Sequence, residues 1–528
     1  MYENPKILFV YPEIPSTFWG LKNALSFVSK KALLPPLGLL TIASILPDSF
    51  EKKLTDMNVT PLRDKDLKWA DYVFISAMFI QKKSVENVIE RCKEMNVKIV
   101  AGGPLFTTLP EAYVNRIDHL VLPSFLEDLQ NGCPKPYYTT REKPDLQDTP
   151  VPQWDLIDTK KYGLMGLQFS RGCPFDCDFC DVTNLLGHKM RTKKTEQIIA
   201  ELESLYLHKW RGDVFFVDDN FIGKRKQLKN ELLPAIIDWM EKRNHPFALN
   251  TQVSIDIVDD EQLMTMMTRA GFDCVFIGIE SPDEKNLAEC NKKQNTGRDI
   301  VAAVKKIQQF GMQVQAGFIV GFDDDKPTIF DKMITLIQDS GVVVAMVGLL
   351  NAPRGTKLYK RLRDENRLSK TPTGDNMDCT MNFIPKMDMK QLVNGYQDVL
   401  NSIYSQKNYC KRVKTFLTNY NFPNPTRIKI TYSGIRALLK SMWRIGILEK
   451  DKIHFWKLML WSLKKPYRFP LAVRFSIYGY HFRKIIEKNK SQLKELTAVL
   501  NDYNSNDYGQ FNKTTASQPT AGKFTYLL

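Results

Sequence analysis

Short, wholly apolar runs alternate with helix-periodic stretches over the first 125 residues. Lys6–Tyr11 (KILFVY) predicts a strand ended by Pro12, and Tyr72–Ser76 (YVFIS) predicts a second. A helix follows over Ser84–Glu94, then a strand at Val97–Val100 and a last short one at His119–Leu122. Runs apolar at every position suit strands buried on both faces, so a parallel sheet covered by helices is expected. Ligands of such sheets sit beyond the carboxyl ends of the strands. Gly102, Gly103 and Pro104 mark one such end, where bare backbone admits a close approach.

Residues 131–160 are rich in proline and aspartate and predict an extended linker on the surface. Strand–helix alternation then returns. The expected strands are Leu167–Ser170, Val214–Val217, Phe247–Val253, Cys274–Ile279, Gln313–Val320 and Val342–Leu350. Helices are expected over Glu196–Tyr206 and Asp299–Phe310, the second stopped by Gly311. Six such units make a partial TIM-type barrel, although spacing alone also allows a second open α/β sheet. After about Lys370 the strands stop. Leu392, Tyr396, Val399, Leu400 and Ile403 form an amphipathic helical stripe, and residues 410–490 read as helical, basic and aromatic. The expected domains are 1–130 (α/β), 161–370 (barrel) and 371–500 (helical), with a disordered tail over 501–528.

Composition is that of a globular chain: 528 residues, 43% hydrophobic and 25% charged, which excludes a disordered or fibrous protein. The charge is unevenly spread. Residues 401–528 hold 23 Lys and Arg against 6 Asp and Glu, while the first 400 hold 51 against 53. The net charge of +15 therefore belongs to the C-terminal quarter. Met1–Pro15 shows no secretory pattern, and no run approaches the ~18 apolar residues of a membrane-spanning helix. Nine cysteines, of which only three cluster, point to a reducing cytoplasmic setting and a metal site.

The three are Cys173, Cys177 and Cys180, in CxxxCxxC spacing directly after an expected strand. Thiolates are the natural ligands of iron–sulfur clusters. Three of them leave one iron of a 4Fe-4S cubane open to a small molecule bearing an amine and a carboxylate, such as S-adenosylmethionine. The competing reading is a structural zinc site, which needs four ligands and finds its nearest fourth in His188.

This motif after the first strand of a six-unit barrel resembles the radical S-adenosylmethionine enzymes. The α/β domain before it resembles their cobalamin-binding branch. Val217-Asp218-Asp219-Asn220-Phe221, Phe276–Glu280, Gly317–Asp323 and Gly348-Leu349-Leu350 resemble the subgroup with a C-terminal domain of unknown function, which includes hopanoid methylases and lipid-cyclising enzymes. The resemblance implies a flavodoxin-like cobalamin domain with Gly102, Gly103 and Pro104 at its ligand edge. It implies cluster ligation by Cys173, Cys177 and Cys180, with Phe179 near the adenine of S-adenosylmethionine. Asp218 and Asp219 would hold the methionine amino group, and Glu280 would face ribose or methionine. Gly317, Ile319 and Gly321 would pack against adenine, and Gln252 stands where an acidic residue is usual. The family's Asp-x-His-x-x-Gly string is absent, so no histidine ligand beneath cobalamin is expected. The loop after the last strand of that domain is also shorter than in relatives.

The implied activity is reductive cleavage of S-adenosylmethionine and modification of an unactivated carbon on an apolar, lipid-like substrate, foremost by cobalamin-dependent methylation. Carbon–carbon bond formation without cobalamin is the alternative, and a zinc-stabilised RNA-binding protein is the alternative of another class. A reductant such as a flavodoxin or ferredoxin is implied. The C-terminal region, with Trp443, Trp456 and Trp461 among its lysines, allows a peripheral membrane contact, a solvated basic face or, least favoured, nucleic-acid binding.

Overall fold

A computed structural model of the chain describes residues 4–120, 128, 134–138, 143–369, 374, 375, 377, 380–422 and 431–503, the last fourteen in backbone alone. Its first sheet has five strands: β1 (Lys6–Tyr11), β2 (Glu51–Asp56), β3 (Tyr72–Ser76), β4 (Lys98–Gly102) and β5 (His119–Leu120). All pair in parallel in the order β2-β1-β3-β4-β5. The chain reverses its direction of travel between β1 and β3, so the ligand crevice opens there, beyond the carboxyl ends. Leu8, Val10, Val73 and Ile75 pack on one face and Ile7, Phe9, Tyr72 and Phe74 on the other, as apolar runs demand. The strand that hydropathy did not indicate is β2 (EKKLTD). It lies at the sheet's edge, half in water, where an apolar run would invite pairing with other chains. The short loop after β5, residues 121–127, lies outside the described residues.

The second sheet contains β6 (Met165–Leu167), β9 (Asp213–Phe216), β10 (Ala248–Gln252), β11 (Phe272–Glu280), β12 (Gln313–Val320) and β13 (Val344–Leu349). They lie strictly in chain order, β6-β9-β10-β11-β12-β13, all parallel. With no reversal, right-handed crossovers place every connecting helix on one side and leave the other face concave. This is a partial (β/α)6 barrel, not a second doubly wound sheet. Val275, Ile277, Val314, Ala316, Ala345 and Val347 are sealed under the helices. Phe276, Gly278, Ile319 and Met346 are half-buried and line the concave side.

The first barrel strand is shorter than expected. It ends at Leu167, and β7 (Ser170–Arg171) turns away to pair antiparallel with β8 (Arg191–Thr192). That hairpin carries the three cysteines in its connection. The proline-rich segment is not wholly a surface strap either. Leu146 and Trp154 are buried, and the Gln197 amide donates to the carbonyls of Leu146, Gln147 and Thr149.

Helix Met389–Tyr404 buries Leu392, Tyr396, Val399, Leu400 and Ile403. It also covers the free edge of β13. The Tyr396 hydroxyl donates to the Val347 carbonyl (3.1 Å), and the Tyr404 hydroxyl donates to the Ala345 carbonyl (2.7 Å). Helices Gln406–Asn419, Tyr432–Arg444, Ile453–Leu463 and Phe469–Tyr503 follow. Among the described residues no helix is long and apolar enough to cross a membrane. The expected tail falls, from residue 504 on, outside the described residues.

The carboxyl rims of the two sheets meet. Arg354, shortly after β13, pairs at 2.6 Å with Glu111, in the turn Pro110–Ala112 that follows β4 and the short helix beyond it. Gly374 lies so close to the turn after β3 that an added Cβ would stand 3.1 Å from the Ile80 nitrogen.

Candidate active site

The cysteine loop is fastened on several sides. The Asp178 N–H donates to the Cys290 carbonyl (3.1 Å), and the Asn291 amide donates to the Asp176 carbonyl (2.8 Å). The Leu358 N–H reaches the Asp178 carbonyl (2.9 Å). Gly172 opens the loop with φ +99°, and an added Cβ would stand 2.8 Å from the Gly187 carbonyl oxygen, so only glycine fits. Cys173, Cys177 and Cys180 are free thiols, each half-buried. Burial raises all three, Cys180 to about 12, while the nearby Lys292 ammonium pulls each of them down. Among the described residues no three His, Cys, Asp or Glu side chains converge as the ligand set of one metal ion. His188 instead stands 3.8 Å from Asp176, its side chain largely in water. Three thiols spread along one loop suit a polynuclear cluster better than a single zinc.

Glu280 ends β11 in the left-handed region, at φ +66°. Its carboxylate meets Lys292 at 2.8 Å, and both side chains are nearly sealed from water. Burial opposes the Lys292 charge, but Glu280 and Cys177 outweigh it and hold the ammonium above the ordinary lysine range. The pair lies over Gly278, where an added Cβ would collide with Glu280 Oε1 and stand 2.9 Å from Lys292 Nζ. Lys292 also stands 6.0 Å from the centre of the Phe179 ring, which meets Phe322 edge-on. Asn295 holds the strand end by donating to the carbonyls of Gly278 and Ile279, both at 2.9 Å.

The two aspartates after β9 have different fates. Asp218 is fully buried and spends its carboxylate on the chain itself. It accepts from the Phe169 N–H at 3.0 Å, from the Ser170 N–H and from the Ser170 hydroxyl. Burial pushes it up to about 7 against the pull of those bonds. It therefore fixes the approach to the cysteine loop, and it has no unpartnered oxygen. Asp219 does have one. Burial raises it to about 6, the Gly172 N–H binds it and pulls it down, and its Oδ2 is buried without a partner.

Gln252 ends β10 in register with Phe276 on the concave face. Gly278 and Gly317 are register partners, and Gly317 pairs in turn with Met346. A Cβ at Gly317 would stand 3.1 Å from the Phe276 ring. Glu280 and Lys292 thus take up the space over Gly278, and the Phe276 ring that beside Gly317, next to the half-buried Ile319. Trp19 closes over Phe276 with ring centres 5.4 Å apart. Gly321 turns the chain at φ +105°. Its N–H donates to Asp325 (2.6 Å), which also accepts from Asn286 (2.6 Å). Lys292, Asn295, Asp325 and Asn286 were missed in the sequence because they sit in loops and helices of one or two turns, too short to show periodicity. The signal available was their position just past strand ends.

In the other sheet, Gly102 is the last residue of β4 and Pro104 opens a one-turn helix. The space beside Gly103 is already filled, since a Cβ there would lie 2.7 Å from the Ser76 hydroxyl. That glycine is explained by the close approach of the paired ends of β3 and β4 and by its own φ of +90°, and the space beside it is taken by Ser76. His119 is buried with Nδ1 2.8 Å from the Lys135 carbonyl oxygen.

Comparison with known proteins agrees with this division of the chain. Residues 27–124 match the B12 binding domain, 167–337 the Radical SAM superfamily and 356–495 a domain of unknown function, DUF4070. An uncharacterized methyltransferase of Synechocystis is 36% identical over 98% of both chains. The hopanoid C-2 methylase of Rhodopseudomonas palustris is 30% identical over 86% of this chain and 89% of its own. The solved structure of the cobalamin-dependent S-adenosylmethionine radical enzyme OxsB has the same fold, with a TM-score of 0.58 at 16% identity over 96% of this chain and 82% of that one. The chain is thus a radical S-adenosylmethionine enzyme of the branch with a B12-binding domain, and its cofactors are a 4Fe-4S cluster, S-adenosylmethionine and cobalamin.

Proposed function

We propose that the enzyme methylates an unactivated carbon of an apolar, lipid-like substrate, as its hopanoid methylase relative does by name. The observation that carries this reading is the meeting of the two carboxyl rims at Arg354 and Glu111, which sets a B12 domain against a radical barrel. When bound, the cofactors supply a carbon radical able to take an unactivated hydrogen and a methyl group to put in its place.

The chain's own residues then have distinct tasks. Cys173, Cys177 and Cys180 would hold the cluster, and Lys292 offsets the negative charge of their thiolates. The unpartnered Oδ2 of Asp219 suits the methionine amino group. Glu280, locked by Lys292, offers its second oxygen to hydroxyls of the ribose. The row of Gly317 and Ile319, with Phe179 nearby, would pack against a flat adenine, and Gln252 adds a neutral amide on the same sheet face. Gly321, held by Asp325, fixes the far end of that row. Gly102 and Pro104 border the crevice for cobalamin. A protein reductant such as a flavodoxin or ferredoxin would approach near the cluster loop, where a groove of about 500 Å3 lined by Pro174 and Phe175 also carries Lys224 and Lys226.

The test is anaerobic turnover of the reconstituted enzyme on lipid extracts with methyl-labelled S-adenosylmethionine, with and without cobalamin. Label entering the lipid only when cobalamin is present is expected. Lipid turnover that is equal without cobalamin, and leaves no label, would replace methylation by rearrangement.

A further inference from the structure

Helix Tyr432–Arg444 packs onto the body of the protein through small residues, Ala437 and Ser441, and through Ile445 just past its end. Leu438 packs half-buried beside them, while four other large side chains point away from the body. Tyr432 is 82% exposed, Ile435 47%, Leu439 61% and Trp443 58%. At 100° per residue these four lie within an arc of about 80° opposite the buried face. Solvent-facing helix positions in a soluble protein ordinarily carry polar residues, so contiguous apolar exposure of this kind marks a contact surface.

The surface continues beyond the helix. Ile447 and Leu448 are exposed, and their N–H groups return to the Trp443 carbonyl. Helix Ile453–Leu463 joins at this corner, where the Trp456 indole donates to the Gly446 carbonyl at 2.9 Å, and it turns Ile453 and Leu460 outward between Lys457 and Lys464. Residues 431–468 contain nine Lys and Arg and only two acids, Glu449 and Asp451. Glu449 is already paired with Arg483 and Lys484.

We infer that this face is the membrane-docking surface of the enzyme and that its partner is an anionic lipid surface. Leu439, Trp443, Ile447 and Leu448 enter the headgroup region while the surrounding cations meet the phosphates. A second copy would bring nine cations against nine cations. A nucleic acid would leave the exposed leucines and isoleucines without an apolar partner. The inference deepens the reading of a lipid-like substrate, because the substrate then lies in the phase to which the enzyme binds.

The experiment is vesicle flotation of the full-length holoenzyme with phosphatidylglycerol–phosphatidylcholine or pure phosphatidylcholine vesicles, at low and high salt. Binding to the anionic vesicles is expected, weakened by salt. Leu439→Glu/Trp443→Glu should lower it at least tenfold, while Leu207→Glu, an exposed leucine on a different helix, leaves it unchanged. Circular dichroism and iron content guard against misfolding of the variant. Undiminished binding by the double variant overturns the inference, as does a wild type that ignores anionic vesicles. A dimer that the double variant splits reassigns the face to a second copy and also overturns it. Deoxyadenosine formation is read on the same samples. Its loss from the wild type with vesicle binding intact refutes the enzymatic reading alone, and the reverse pattern refutes the docking surface alone.

Discussion

The Glu280–Lys292 pair makes a demanding prediction. Its side chains are only 8% and 13% exposed and 2.8 Å apart. Lys292→Met keeps the aliphatic stem but leaves a buried carboxylate uncompensated, which costs about 3–5 kcal/mol. Glu280 also sits at φ +66°, a backbone state that costs a non-glycine residue on the order of 1 kcal/mol and persists only where the surroundings fix it. Glu280→Gln removes the opposite partner and leaves the ammonium facing three thiols. The double variant carries neither charge, so the two losses should overlap by about 2 kcal/mol or more. The assay is urea unfolding of the four proteins, kept cluster-free and reduced, followed by tryptophan fluorescence and far-ultraviolet circular dichroism. Single variants that each cost less than about 1 kcal/mol, or a double variant that costs their sum, would refute the reasoning.

Gly278→Ala tests the same site without touching a charge. The new methyl displaces Glu280 Oε1 and Lys292 Nζ, so deoxyadenosine formation should fall at least tenfold while iron stays near about four per chain; full activity, read by chromatography, would show that the pair tolerates the shift. Asp218 has an ionisation raised from 3.8 to about 7 in the folded chain. Between those values the folded state binds more protons, so this group's stabilisation is complete below the lower pH and is lost as pH rises through the upper one. Asp218→Asn should flatten that part of the pH profile of the urea midpoint, at a cost of about 1–3 kcal/mol from an amide set against backbone donors. Profiles that run parallel would contradict the assignment.

Much of this architecture is legible in hydropathy because parallel strands are buried on both faces and so contain no polar interruption. Lys6–Tyr11 illustrates this, four consecutive buried apolar residues in a strand observed with the expected limits. Edge elements escape for the opposite reason. Glu51–Asp56 is a strand because β1 offers it a ladder, not because its own residues prefer one. At the site, the cysteine spacing was readable because ligation demands residue type and spacing together. The roles of Asp218 and Asp219 were not separable, since neighbours in sequence differ here only in which carboxylate turns back onto the Phe169–Ser170 backbone. Lys292 needed the fold, because a loop after β11 must be placed over the loop after β7 before an ammonium meets three thiols. The outward-facing helix over Tyr432–Arg444 was hidden too, since periodicity shows a stripe but not which side of it meets the protein.

The central claim is that the thiols of Cys173, Cys177 and Cys180 hold the cluster at which S-adenosylmethionine is cleaved. Its most direct measurement is iron content and deoxyadenosine yield after anaerobic reconstitution, for wild type and Cys177→Ala side by side. The account predicts about four irons per wild-type chain, reductive release of deoxyadenosine, and loss of both in the variant. A variant that keeps its iron and still forms deoxyadenosine would contradict it, as would a wild type that takes up one zinc and no iron.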